Sequence, residues 1–224
     1  MINNHRSGRV GRRTFMQVSG VGGLAAAVGV TGQSLGTSAA NAAEPADRQV
    51  VLVGANPGIQ LFDGDTVTAY ASAWRVDWSR QGRGNALVLW HDDKVHLYGD
   101  NAKLAHWVCQ DFTRHFPEVE GLPWPDPIFH HTPARIDIDL ETGLRASAGP
   151  LRMRCADVRG QRQWITDDFP LGEVPHSLAL VLGPAFVGQI SLRGRRLPGA
   201  ITTSGTADRA NSSAFVTEAE VWRA

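Results

Sequence analysis

The chain has 224 residues, and its 22 basic and 22 acidic side chains give a formal net charge of zero at pH 7. Four of the basic residues and none of the acidic ones fall within residues 1–42, which leaves 18 basic against 22 acidic side chains, a net charge of −4, over residues 43–224. This balance argues against nucleic acid or an anionic membrane as a partner, because both need a basic surface. A stretch of this length is expected to form one domain with its own core.

The first 42 residues have the layout of an export signal. Two adjacent arginines in GRRTFM (residues 11–16) precede a mildly apolar run, rich in glycine and alanine, over residues 18–30. Ala40 and Ala42 then provide the small-residue spacing that a signal peptidase recognises. The segment resembles a twin-arginine export signal. The apolar run is shorter than the roughly 20 residues that a membrane-spanning helix needs, which favours a cleaved signal over a retained anchor.

The resemblance implies where the protein acts. Proteins with such signals are exported after folding, so residues 43–224 are expected to fold in the cytosol and then to act as a single secreted or extracytoplasmic domain. Folding before export leaves room for a cofactor, and the sequence identifies none.

Most of the mature chain shows the period-two alternation of β-strands. The longest such segment, residues 66–79, places Tyr70, Trp74 and Trp78 on one face and several alanines on the other. The small alanine face would let another element, such as a helix, pack closely against it. Strands or hairpins are predicted at residues 49–54, 66–79, 86–91, 95–99, 134–143, 151–158, 177–183, 188–199 and 214–222.

Two of these strands have a charged face. The strand at 134–143 carries two aspartates on one face and the strand at 151–158 carries two arginines, an arrangement that suits neighbours in one antiparallel sheet. Within residues 188–199, the pair Arg193 and Gly194 is predicted to form the turn of a hairpin.

One helix is predicted, over residues 101–116. Leu104, Val108 and Phe112 recur every four residues and define an apolar stripe, which ends at a proline. The segment that follows, residues 117–127, contains four prolines and is not expected to be regular.

Together these elements predict a mainly β fold, an antiparallel barrel or sandwich of about nine or ten strands with one α-helix around residues 101–116. The alternative is an α+β fold. A barrel is favoured because closing the sheet removes exposed strand edges, and the helix would then plug or cover one end.

The cysteines leave two alternatives open. Cys109 and Cys155 either form a disulfide after export or remain buried apolar thiols. No zinc motif follows from two cysteines so far apart in the sequence.

No metal site is predicted from the histidines. His91 and His96 flank a tight turn that contains two aspartates, but such a turn is ordinary hairpin chemistry. His130 and His131 are adjacent, so on a strand they point to opposite faces and do not readily share one ion.

Aromatic side chains form the candidate ligand site. Tyr70, Trp74 and Trp78 share one face of a long strand, which is expected either to enter the core or to line a pocket. Trp124 lies between two prolines, where its own segment does not bury it, so it either covers the pocket or contacts a ligand, or else folds back as a plug.

Two residues are candidates for acid–base chemistry. His176 precedes the apolar strand at 177–183, and an imidazole at the rim of a hydrophobic pocket can act as a general acid or base near neutral pH. The alternative is a polar residue that only starts the strand. Glu220 shares a strand face with Glu218, and enclosure of that face would raise the pKa of a carboxyl on it.

Three functions are therefore open. The first is an exported domain that binds an apolar or ring-bearing small molecule in an aromatic-lined pocket. The second is a cofactor-independent enzyme of the isomerase, hydratase or cyclase type, in which His176 or a carboxylate moves a proton. The third is carbohydrate binding through exposed tryptophans. A wholly apolar cavity favours the first, convergence of His176, a carboxylate and tryptophans the second, and a flat exposed tryptophan strip the third.

Overall fold

A computed structural model describes residues 48–171, 174–206 and 209–223. The predicted signal peptide, residues 1–42, lies outside this part of the chain. The described residues are mainly β, as predicted. The strands are β1 (Gln49–Ala55), β2 (Gly58–Asp63), β3 (Thr66–Ser79), β4 (Gly84–His91), β5 (Lys94–Gly99), β6 (Ile128–His131), β7 (Arg135–Asp139), β8 (Gly143–Ala148), β9 (Leu151–Val158), β10 (Arg162–Leu171), β11 (Val174–Leu192), β12 (Arg195–Arg196), β13 (Thr203–Ser204), β14 (Asn211–Ser212) and β15 (Ala214–Arg223).

The strands form a sandwich of two leaves. The first leaf contains β1 to β6, β10, β15 and the N-terminal half of β11, and the second contains β7, β8, β9, β12 and the C-terminal half of β11. β11 joins the leaves, because residues 177–184 pair with β15 whereas residues 185–192 pair mainly with β9. Among the described strands, the path of pairing ends at β6 and β7 without joining them, so the favoured closed barrel does not form. β5 and β6 pair in parallel, which departs from the otherwise antiparallel pattern.

One irregular helical segment follows β5. It consists of the α-helix α1 (Ala102–Trp107), a π-helical turn (Val108–Phe112) and two 3₁₀ turns (Thr113–His115 and Pro117–Val119). The predicted helix therefore begins where expected, but only its first part is α-helical. The Asn101 side chain caps the segment by accepting a hydrogen bond from the Leu104 amide at 3.1 Å.

Both faces of the first leaf are covered over part of their area. The helical segment covers one face and forms with it the aromatic core, which includes Tyr70, Trp74, Trp90, Phe112, Phe116, Phe169, Leu52, Leu104, Val108, Leu178, Leu180 and Val221. The second leaf covers the other face and forms with it the aliphatic core, which includes Ile59, Ala69, Ala71, Ala73, Leu87, Leu89, Leu144, Ala146, Leu151, Met153 and Ile190.

Another element packs closely against the alanine face of β3, as expected, and that element is a sheet rather than a helix. Ala69, Ala71 and Ala73 lie in the aliphatic core with the second leaf, where short side chains let the two sheets approach. The helical segment lies instead on the face of Tyr70 and Trp74, where its own phenylalanines fill the space between the large rings.

Alternation predicted several strands closely. The predicted boundaries 66–79 and 151–158 agree with β3 and β9 residue for residue. The predicted turn at Arg193 and Gly194 is confirmed, and both residues have the positive φ, 52° and 78°, that a tight hairpin turn of this kind requires. The pattern does not predict β2, β6 or β10. The aspartate strand β7 and the arginine strand β9 belong to one leaf as expected, but β8 lies between them.

The two cysteines lie in different cores. Cys109 is in the aromatic core and Cys155 is in the aliphatic core, and both are free thiols. Burial raises the pKa of each thiol to about 12. Of the two alternatives, the structure therefore shows the buried thiols. Among the described residues, no helix has both the length and the apolar character needed to cross a membrane.

Candidate functional site

A small apolar cavity lies in the aromatic core, between the first leaf and the helical segment. Its volume is about 30 Å³, and no ionisable side chain lines it. The rings of Trp74, Phe112, Phe116 and Phe169 form part of its wall, and side chains of β1, β11 and β15 form most of the rest. A cavity of this size accepts a group no larger than one or two atoms, because one water molecule occupies about 30 Å³ of the liquid.

Contacts with two rings and one hydroxyl group hold the Trp74 indole in place. The indole meets the Phe112 ring edge-on at a centroid distance of 5.5 Å and stacks on the Phe116 ring at 5.9 Å. Its Nε1 donates to the Thr113 hydroxyl at 3.0 Å, and that hydroxyl donates to the carbonyl oxygen of Val108, also at 3.0 Å. The π-helical turn thus supplies the Phe112 ring and the Val108 carbonyl, and the 3₁₀ turn that follows supplies the Thr113 hydroxyl; together they fix one wall of the cavity.

A larger and more polar cleft adjoins this cavity. Its volume is about 370 Å³, and Phe112 lines both spaces. The apolar part of its lining is Val51, Trp107, Phe112 and Leu171. The polar part is Gln49, Arg80, Gln81, Asp111, His176 and Arg223. Small-molecule sites typically have about 300–1,000 Å³ and combine apolar walls with a few polar groups, and this cleft meets both conditions.

Two of the sequence-predicted site residues lie at these spaces. Trp74 lines the cavity, and His176 lines the cleft. Tyr70 is on the same face of β3 as Trp74 and is fully buried in the aromatic core, but it lines neither space. The structure therefore brings Trp74 and His176 to one side of the first leaf, with Phe112 between the two spaces that they line.

Trp78 lies outside, on the solvent-facing side of the first leaf. Its side chain is 47% exposed, although alternation from Tyr70 places it inward. The reason is an extra residue in β3: Trp78 pairs with Val53 and Val76 pairs with Gly54, so Asp77 is bulged and the alternation reverses. Sequence alternation alone does not reveal a bulge.

Glu220 also faces away from the cavity. Its neighbours Ala219 and Val221 line the cavity, and successive residues of a strand point to opposite faces. Glu220 pairs with Val53, as Trp78 does, so these residues share a row on the outer side of the leaf. Glu220 lines neither the cavity nor the cleft, and Asp111 is the carboxylate that lines the cleft with His176.

Trp124 is half-buried and packs against the aromatic core. Its Nε1 is enclosed and has no hydrogen-bond partner among the described residues. Its proline-rich segment is held to the first leaf by Trp90, whose Nε1 donates to the carbonyl oxygen of Pro123 at 2.7 Å. Trp124 is thus folded back against the core, as in the plug alternative.

Glu118 has a buried carboxyl group that no pattern in the sequence indicates. Only 5% of the residue is exposed, and neither carboxyl oxygen has a hydrogen-bond partner in the described part of the chain. Gln60 donates to the main-chain carbonyl of Glu118 at 2.6 Å, which holds its 3₁₀ turn against β2. Glu118 stands in a proline-rich segment without periodicity, so no sequence signal marks it as buried.

Burial sets the protonation of this region. It raises the pKa of the Glu118 carboxyl to about 7. The pKa of the Tyr70 hydroxyl is also raised, first by burial and then by the nearby Glu118 charge, and this hydroxyl likewise has no partner among the described residues.

His96 pairs with His130 and not with His91, its neighbour across the tight turn. His96 Nδ1 lies 3.0 Å from His130 Nε2, and the His130 ring stacks on Tyr98 at 4.6 Å. Burial and the neighbouring His130 lower the pKa of His96. His91 contacts the carbonyl oxygen of Thr68 at 3.1 Å instead. Over the described ranges, no group of three or more His, Cys, Asp or Glu side chains is placed to hold a metal ion.

Comparisons with known proteins add no assignment to this geometry. A scan against protein-family models, a search of curated proteins and a search of solved structures found no match to the chain.

Proposed function

We propose that the mature domain binds a small amphipathic molecule, with an apolar or ring-bearing part and an anionic group, in the cleft beside Phe112. The observation that carries this proposal is the junction of the two spaces at Phe112. The cleft of about 370 Å³ has an apolar floor, and beyond Phe112 lies a cavity without any ionisable lining group. A ligand with one apolar end fits this gradient in polarity.

The volumes of the cavity and the cleft favour the cleft as the place where the ligand binds. The cavity of about 30 Å³ is too small for a ring, so the ring of the ligand contacts Trp107, Phe112 and Leu171 in the cleft. Rotation of the Phe112 ring would connect the two spaces and admit a longer apolar group. Phe112 is the last residue of the π-helical turn, and such turns are common at functional sites.

The polar groups of the cleft favour an anion. Arg80 and Arg223 both line it, and neither forms an ion pair with another described residue. Asp111 is the one acidic group of the lining, so the cleft has a net positive charge when His176 is neutral. A guanidinium group binds a carboxylate or sulfonate through two parallel hydrogen bonds, which would orient the ligand.

A cofactor-independent enzyme is the second candidate. His176 and Asp111 line the same cleft, so a bound molecule would lie within reach of an imidazole and a carboxylate. Carbohydrate binding would use another surface, because the exposed Trp78 lies on the outer side of the first leaf.

The proposal is tested with two fluorescent probes that share a ring system, anilinonaphthalene sulfonate, which is an anion, and phenylnaphthylamine, which is neutral. We expect one saturable site for each probe and tighter binding of the anion. Replacing both cleft arginines, R80Q with R223Q, should weaken binding of the anion about tenfold, an effect of about 1.4 kcal/mol, and leave the neutral probe unchanged.

The matched control is R83Q with R114Q, which removes the same charge from exposed positions outside the cleft and should change neither probe. No saturable binding of either probe, or equal losses in both double variants, would contradict the proposal. Native mass spectrometry of protein purified from the medium of its own host would then identify the natural ligand. Conversion of that ligand by the wild type, and not by H176Q, would favour the enzyme.

A further inference from the structure

The outer face of the second leaf is strongly basic, although residues 43–224 have a net negative charge. Alternate residues of β7, β8 and β9 belong to the aliphatic core or pack against it. The charged residues between them therefore point together to the outer side of the leaf. All five arginines of this face, which we name the arginine face, are exposed: Arg135, Arg145, Arg152, Arg154 and Arg196.

Strand register arranges these side chains in two parallel rows across the leaf. The first row runs Asp137, Arg145, Arg154, Gln189, and the second runs Arg135, Ser147, Arg152, Ser191, Arg196. Neighbouring strands lie about 4.8 Å apart and the rows about 7 Å apart, so the five charges occupy a plate roughly 20 Å long.

This arrangement is unfavourable for folding. Arg145 and Arg154 are directly opposite each other on adjacent strands, and like charges in that position destabilise a sheet. None of the five arginines forms an ion pair with an acidic side chain among the described residues. Asp139, at the end of the face, accepts hydrogen bonds from the amides of Glu141 and Thr142 at 2.9 and 2.7 Å, so its carboxylate is engaged in its own turn.

The face is grooved. Two shallow depressions of about 300 and 400 Å³ lie on it, and Asp137 and Arg145 line both, so the depressions adjoin. Arg154 and Thr142 line the first, and Arg152 and Ser147 line the second. An elongated ligand that crosses the leaf would contact guanidinium groups, hydroxyl groups and a carboxylate in turn.

We propose that the arginine face binds a linear acidic polysaccharide. Its carboxylate or sulfate groups would contact the guanidinium groups, and its hydroxyl groups would contact Asp137, Ser147 and Ser191. Two features favour a glycan over a nucleic acid. The two rows contain no aromatic side chain on which a base could stack, and Asp137, Ser147 and Ser191 lie among the arginines, where they can accept hydrogen bonds from the several hydroxyl groups of each sugar unit.

The test is binding of the full mature protein to immobilised polygalacturonate and heparin, with neutral dextran and a single-stranded oligothymidylate for comparison. We expect retention on both acidic glycans but not on dextran, with affinity falling as salt rises. The variant R145Q with R154Q should bind at least about tenfold more weakly, whereas the control R83Q with R114Q should stay within about twofold of the wild type.

Both substitution pairs are at exposed positions, so each variant is checked for an unchanged unfolding transition. No binding of either acidic glycan at low salt would overturn the proposal, and so would equal losses in the two double variants. Tighter binding of the oligothymidylate than of the glycans would overturn it in favour of nucleic acid. Because the cleft and the arginine face share no residue, failure here leaves the proposal for the cleft untouched.

Discussion

The two cores of this protein lie on opposite faces of one sheet and differ in how completely they are packed. The aliphatic core consists mostly of small and branched side chains from two sheets. The aromatic core has a cavity among its rings, and buried polar atoms of Tyr70, Trp124 and Glu118 on that side have no partner among the described residues. The difference teaches that one face of the first leaf is built for stability, whereas the other tolerates voids and unpaired polar groups, as ligand sites do.

The largest expected effect compares one leucine from each core. Leu151→Ala in the aliphatic core should lower the free energy of unfolding by about 4 kcal/mol, because it leaves a new void in a close-packed interior. Leu180→Ala should lower it by only about 2 kcal/mol, because Leu180 already borders a cavity. Urea unfolding measures the free energy of unfolding of both variants. Equal losses would contradict the inference that the aliphatic core is packed more completely than the aromatic core.

The next prediction concerns Glu118, whose pKa is raised to about 7 in the folded protein from about 4.3 in an unfolded chain. Below the lower value both states are protonated, so ionisation of this carboxyl does not affect stability. As pH rises from about 4.3 to about 7 the unfolded state alone ionises, so the folded protein loses about 3–4 kcal/mol of stability in total.

Glu118→Gln removes this loss. Urea unfolding should therefore find E118Q close to the wild type at about pH 4.3 and more stable by up to about 3–4 kcal/mol at about pH 8. The control is Glu120→Gln, two residues along and exposed, which should change little at either pH. An equal effect of E118Q at both pH values would show that ionisation of this carboxyl is not responsible.

The smallest effect uses the same substitution on the two sides of the first leaf. Ala71→Val adds volume to the aliphatic core and should cost about 1–2 kcal/mol through overpacking. Ala219→Val adds the same volume at the wall of the cavity and should change stability by less than about 0.5 kcal/mol. Thermal unfolding of the two variants measures the difference. A larger loss of stability in Ala219→Val than in Ala71→Val would show that the cavity does not accommodate the added methyl groups.

Alternation in the sequence predicts much of the sandwich and little of the site. β9 follows from strict alternation, because one of its faces lies in the aliphatic core and the other is exposed. The bounds of β3 also follow from alternation, although both of its faces enter cores and a bulge interrupts its backbone near the end. β10 is not predicted because its apolar residues are not confined to one face. Ile165, for example, is 73% exposed on the outer face. β6 is missed because only its pairing with β5, across the helical segment, makes it a strand.

The site depends on long-range packing in the same way. Trp74 is predicted correctly as an inward ring, but a single bulged residue sends Trp78 outward. The sequence predicts that Phe112 belongs to an apolar helical stripe. Its position between the cavity and the cleft depends on a π-helical turn, which the periodicity of the sequence does not predict. The 3₁₀ turn that contains Glu118 is held by a hydrogen bond from Gln60, which is 58 positions away along the chain.

A crystal structure of the protein with anilinonaphthalene sulfonate tests most directly whether the cleft binds an amphipathic anion. We expect one molecule in the cleft, with its rings against Phe112 and Trp107 and its sulfonate within hydrogen-bond distance of Arg80 or Arg223. Density for the probe on the outer side of the first leaf at Trp78, with the cleft filled by water alone, would contradict it.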